Sequence, residues 1–214
     1  MTCTIVPLLP DQTPMTSATP AKPVFTLNDI DIGLRVHEAL AHHAAASRGA
    51  PITYTDLLTL ARSLHPKDAA LGRAVPVGIG MKLLFVSGFC AAHNYPDLAC
   101  LAVSRATMRP ASWYQGEWET ERRAVADVDW SAAQAALDAY AGAARAAVPA
   151  RLKPRKERPA DVAWYAYFCS HRSACDKVTQ HDKQEIINLI MAGLDPDTAL
   201  QRVLAAKADF SEEP

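Results

Sequence analysis

Four residues in the stretch "CSHRSACDKVTQH" could ligate a metal: Cys169, His171, Cys175 and His181. Tetrahedral zinc needs four soft or borderline ligands converging on one point. The spacing lacks a C-x2-C knuckle. In a helix, His171 and Cys175 would share a face while Cys169 and His171 would project to different sides. The competing reading, a helix end with a buried cysteine and exposed histidines, is preferred, so neither a metal nor another cofactor is expected. Cys100, in "YPDLACLAVS", is the next chemical candidate. A thiol attacks as its thiolate and needs a neighbouring base or cation to form it. Leu101 and Ala102 follow it, with no histidine in reach along the chain, so Cys100 reads as a small apolar residue in a buried strand. The histidines of the first helix, His42 and His43, form no H-E-x-x-H motif with Glu38. The chain also shows no Walker A loop, no G-x-G-x-x-G after a strand and no G-x-S-x-G elbow. It is not expected to be an enzyme.

Binding chemistry is better represented. The loop "RATMRPASWYQGEWETERR" holds Trp113, Tyr114 and Trp118 among Arg109, Arg122 and Arg123, the residue types that dominate protein-binding hot spots. Its structural alternative is that these rings close the core beneath the helix that follows. "PARLKPRKERP", residues 149–159, carries Arg151, Lys153, Arg155, Lys156 and Arg158 between prolines. Such a run can be a phosphate-contacting strap or a solvated linker. Lys67, Arg73, Lys82, Arg105 and Arg109 could extend it into a patch. The net charge of the chain is only -1, so there is no global field to hold a polyanion, and any nucleic-acid role must be local.

These groups have to be positioned by a folded protein. Half of the 214 residues are apolar, the globular average. The five cysteines, odd in number and partly in apolar segments, suggest a reducing compartment. No basic leader and no apolar run of about 18 residues is present, so a cytoplasmic protein without membrane insertion is expected. Its alanine richness points to a high-GC bacterial genome or its mobile elements.

Residues 1–24, rich in Pro, Thr and Ser, read as a disordered arm. A helix is predicted from Asn28, its cap, to Arg48, followed by a short strand at Ile52-Thr53-Tyr54. Thr55 is taken to cap a helix burying Leu57, Leu58, Ala61 and Leu64. A further helix spans about Ile79 to His93, "LACLAVS" reads as a buried strand, and a long helix runs from Trp130 to Val148. "WYAYF", residues 164–168, reads as core of the tail. Gly193 should stop one tail helix, and Asp195 with Pro196 should start the next, with Ile186, Ile190, Leu194, Leu200 and Leu204 facing inward.

"ITYTDLLTLARSL", a Gly-bearing segment and then "YPDLACLAV" resemble the DNA-binding domain of alkylguanine-DNA alkyltransferases and alkyltransferase-like proteins. In that family a "TSYGxLA" entry leads to a "PCHR" strand; Tyr54, Leu57 and Ala61 match the entry, and Cys100 falls near the family's cysteine. The resemblance covers residues 52–104 and lacks the histidine that activates the thiol. It therefore implies topology rather than activity.

The expected fold is α+β and mainly helical. It has a winged-helix-like core with a small sheet at 25–148, a basic Pro-rich linker at 149–159 and a helical extension at 160–214. The expected function is that of a non-catalytic interaction protein, an accessory or inhibitory factor of a plasmid or phage, such as an inhibitor of conjugation or of a host system. It would bind a protein partner through Trp113, Tyr114 and Trp118. The second reading is a DNA-binding accessory or regulatory protein using the core and the basic linker.

Overall fold

The computed structural model describes residues 24–111, 114 and 116–211, so all but the last residue of the expected arm at 1–24, and Trp113, lie outside the described residues. The chain is mainly helical with one small sheet among them.

Helix α1 (Leu27–Ser47) begins two residues further up the chain than the Asn28 cap suggested. Thr26 is the N-cap: its hydroxyl accepts from the Asp29 N–H at 3.2 Å while the Asp29 carboxylate accepts from the Thr26 N–H at 3.0 Å. Ile30, Val36, Ala39, Leu40 and Ala44 bury its inner face. Strand β1 (Ile52–Thr53) runs straight into α2 (Tyr54–Leu64), whose N-cap is Thr53 rather than Thr55. Thr55 already lies inside the helix; Leu57, Leu58 and Ala61 are buried as the spacing requires, with Tyr54, whereas Leu64, also expected inside, is only partly buried against the core. A short helix α3 (Ala69–Arg73) and a 3-10 turn at Pro76–Gly78 lead to α4 (Gly80–Ala92). With Leu83, Phe85, Val86, Phe89 and Cys90 all buried, α4 is the central helix of the core. Truncating one of its large side chains to Ala should cost about 2–5 kcal/mol.

The apolar run "LACLAVS" is mostly not a strand. Asp97 accepts from the Ala99 N–H at 3.0 Å and winds Leu98–Leu101 into a 3-10 turn, leaving β2 as Ala102–Val103. β2 pairs in parallel with β1, Ile52 opposite Ala102 and Thr53 opposite Val103. The aromatic loop contains an unanticipated helix, α5 (Trp118–Ala126). The predicted long helix is a 3-10 turn (Trp130–Ala133) followed by α6 (Gln134–Ala146).

The tail packs α7 (Glu157–Ser170), α8 (Gln180–Met191) and α9 (Pro196–Ser211) around a second apolar cluster of Ala160, Trp164, Ile186, Ile190, Leu200 and Val203. Gly193, at φ 104°, ends α8, and Asp195 caps α9 by accepting from the Thr198 N–H at 3.0 Å. The segment before α7 is tied down: Leu152 packs on the second cluster, and the Arg155 N–H donates to the Met191 carbonyl at 2.7 Å. Among the described residues no helix is long and apolar enough to cross a membrane.

Candidate interaction surface

The two apolar clusters meet at a buried set of charges. The Lys82 ammonium lies 3.2 Å from the Asp29 carboxylate and 3.0 Å from that of Glu185, and Arg202 reaches Asp29 at 2.6 Å. Asp29, Lys82 and Glu185 are almost completely buried. Burial would raise the Asp29 pKa, but Lys82 and Arg202 outweigh it and bring the group down to about 2. For Lys82, burial opposes the charge while Glu185 and Asp29 favour it, and the balance is a raised pKa. Asn188 extends the set, donating to Glu185 and to the Arg73 carbonyl, both at 3.1 Å. Two negative and two positive side chains so arranged offset one another's charge, and they tie α8 and α9 to α1 and α4.

This junction sets the pose of α7. Its inner stripe is Ala160 and Trp164, packed toward α8 and α9. Its outer side carries Val162, Tyr165 and Phe168, exposed to 60%, 67% and 37%. The helical repeat places Arg158, Val162, Tyr165 and Cys169 on one ridge, with Phe168 beside it. Directly before the helix stand Arg151, Lys153, Arg155 and Lys156, and Arg158 lies in its first turn, all exposed and none ion-paired among the described residues. "WYAYF" is therefore core on one side only: Trp164 is buried and Tyr167 partly so, while Tyr165 and Phe168 face out. Apolar residues on two faces of one helix were the available signal.

The aromatic loop is placed differently. Trp118 opens α5, and its indole N–H donates to the Cys100 carbonyl at 2.8 Å. The guanidinium groups of Arg109 and Arg122 lie 5.2 and 5.4 Å from the ring centroid. Tyr114 packs partly buried against the main cluster, and its burial raises the phenol pKa. Both rings are engaged in holding the core together.

Cys169 and His171 are exposed, Cys175 is buried and His181 is exposed, and the His171 ring stacks on Tyr167 at 4.1 Å. No group of three or more ligating side chains that could hold a metal exists among the described residues. Cys100 is buried in its 3-10 turn, where loss of solvent raises the thiol pKa, the opposite of an activated nucleophile. A cleft of about 420 Å³ gathers Tyr54, Ser104, Arg105, His181, Asp182 and Lys207. Several of its polar groups serve the fold: the Tyr54 hydroxyl accepts from the Ala111 N–H at 3.1 Å, Ser104 from Ala106, and Lys207 donates to Asp182 at 2.7 Å.

Comparisons with family models, with curated proteins and with solved structures find no match for this chain.

Proposed function

We propose that this is a non-catalytic interaction protein that docks a protein partner through the outer face of α7 and the basic segment before it. The observation that carries the reading is the exposed group Val162, Tyr165 and Phe168 beside cations with no carboxylate partner. Aromatic side chains next to Arg supply anchoring area at low conformational cost, and charges left unpaired on a free surface await a complementary one. The partner surface is accordingly an apolar ridge with an acidic rim. Such a protein acts by occupancy rather than turnover, as an accessory or inhibitory factor of a plasmid or phage does. The winged-helix-like reading of the core belongs to the same proposal; the two strand segments named by the resemblance do meet, at 52–53 and 102–103, but in parallel rather than as an antiparallel wing.

The test is capture from a bacterial lysate with wild type and three variants: Tyr165→Ser with Phe168→Ser, Trp118→Ala, and Arg151, Lys153, Lys156 and Arg158 all changed to Gln. A partner held by wild type and lost with the α7 pair, at unchanged thermal stability, supports the reading. Retention by the α7 pair refutes it, and loss with Trp118→Ala alone returns the site to the aromatic loop. The basic segment also admits the DNA reading. Fluorescence anisotropy with a mixed-sequence duplex would decide for it if binding is steeply salt-dependent and lost in the Gln variant.

A further inference from the structure

A cleft of about 290 Å³ opens where core and tail meet, between the start of α1, the end of α3, the segment before α7 and the end of α8. Two arginines line it, Arg73 and Arg155, and neither is ion-paired among the described residues. Asp31 shares the cleft, but its carboxylate accepts from Arg145 at 2.8 and 3.2 Å, away from both arginines. The Arg73 Nε is buried, and it has no acceptor among the described residues. A buried N–H with no acceptor is uncommon, because it forgoes its hydration without replacement, while the rest of the Arg73 side chain is only partly buried. Asn28 adds to the donors: it stands in the first turn of α1, where backbone N–H groups have no intrahelical acceptor. The lining also includes the apolar residues Leu27, Met191 and Ala192.

We infer that this cleft binds a carboxylate carried on a short apolar stem. Two planar forks suit the two oxygens of a carboxylate, and Leu27 and Met191 shield the carbon chain behind it. Inorganic phosphate could use the arginines but would leave the apolar residues bare. The carboxylate can come from a free small acid or from an acidic side chain of a peptide, since the recognised group is the same.

The experiment is isothermal titration of the full chain at constant ionic strength with butyrate, glutarate, inorganic phosphate and a blocked peptide containing a single Glu beside Leu. The variants are Arg73→Gln, Arg155→Gln and, outside the cleft, Arg172→Gln, each checked by circular dichroism. Arg73 decides the matter, because Arg155 also belongs to the basic segment of the partner face. Binding of butyrate or glutarate, roughly tenfold or more weaker with Arg73→Gln and unchanged with Arg172→Gln, supports a free acid. Binding of the peptide alone with the same variant pattern supports a peptide carboxylate. Tighter binding of phosphate than of every carboxylate overturns the assignment, as does no binding at all or binding indifferent to Arg73→Gln.

Discussion

His37 provides a proton-linked test of the core. It is buried in α1 with its ring edge-to-face against Phe89 at 5.4 Å and Trp130 at 5.7 Å, and its Nε2 has no hydrogen-bond partner among the described residues. Burial disfavours the imidazolium and, despite the opposing charge of Glu38, lowers the pKa from 6.5 to about 4. Between those values the unfolded chain binds a proton that the folded chain refuses, so stability must fall as pH falls. At about 1.4 kcal/mol per pKa unit, the 2.5-unit gap amounts to about 3 kcal/mol in full, of which about 2 kcal/mol is lost by pH 5. The assay is urea unfolding followed by tryptophan fluorescence between pH 7.5 and 4.5, for wild type and His37→Phe. Other groups titrate in both proteins and cancel in the difference. Asp97, whose pKa is raised mainly by burial, gains stability as pH falls, and Asp29 loses its contribution only through the window from 3.8 down to about 2. The stability difference should therefore shift in favour of the variant by about 2 kcal/mol between pH 7.5 and 5. Parallel pH profiles for the two proteins would show that the ring is not held neutral and would refute the reasoning.

Lys82→Met leaves the Asp29 and Glu185 carboxylates buried without their shared cation and should cost about 3–5 kcal/mol in urea unfolding. Adding Glu185→Leu, which leaves the Asp29–Arg202 pair balanced, should recover about 1–3 kcal/mol of that loss; strict additivity would show that the charges are not coupled. Gly78→Ala would set a methyl group on the Glu185 carboxylate and should destabilise by about 1–3 kcal/mol, read as a drop in Tm of about 2–4 °C per kcal/mol. In a Cys3→Ser background, Ellman's reagent should titrate Cys169 quickly in the native protein. Cys90, Cys100 and Cys175 should react only after unfolding, because all three are buried and burial holds the Cys90 thiol up at about 12.

The helical scaffold was legible in the sequence where periodicity and punctuation agree. The apolar faces of α1, α2 and α4 follow the helical repeat, and Gly193 with Asp195-Pro196 marks the turn between α8 and α9. Errors arose where two local signals competed. Thr26-x-x-Asp29 and Thr53-x-x-Asp56 cap their helices better than the neighbouring Asn28 and Thr55, since each pairs its hydroxyl with the third backbone N–H onward. "LACL" is apolar enough for a strand, yet Asp97 captures the Ala99 N–H and turns it into a 3-10 segment. α5 buries only Val125 and so shows no stripe to find. α7 was partly hidden by Pro159, read as a breaker although proline is tolerated in a first helical turn. The charged junction could not be read at all, because Lys82 and Glu185 are 103 residues apart and neither sits in a motif.

That junction also explains why charged groups, costly to bury, occupy the seam between two apolar clusters. Apolar faces alone would let α8 and α9 slide over α1 and α4, whereas Asp29, Lys82, Glu185 and Arg202 are all ion-paired together in one register. Asn188 carries the same constraint outward, joining Glu185 to the Arg73 carbonyl at the edge of the Arg73–Arg155 cleft. The walls of the cleft come from both core and tail, so a carboxylate bound there, as inferred above, can act only on the docked arrangement. By linkage it would strengthen docking by about 2.7 kcal/mol at a hundredfold excess over its Kd. The proposed partner face lies on α7, packed on the same tail, and its pose is fixed by that docking. Filling the cleft should then tighten partner binding by the factor with which the partner tightens the cleft, since coupling between two sites on one protein is reciprocal. Equal partner affinity with and without carboxylate would mean that the tail is already fully docked in the free protein, leaving the two sites independent.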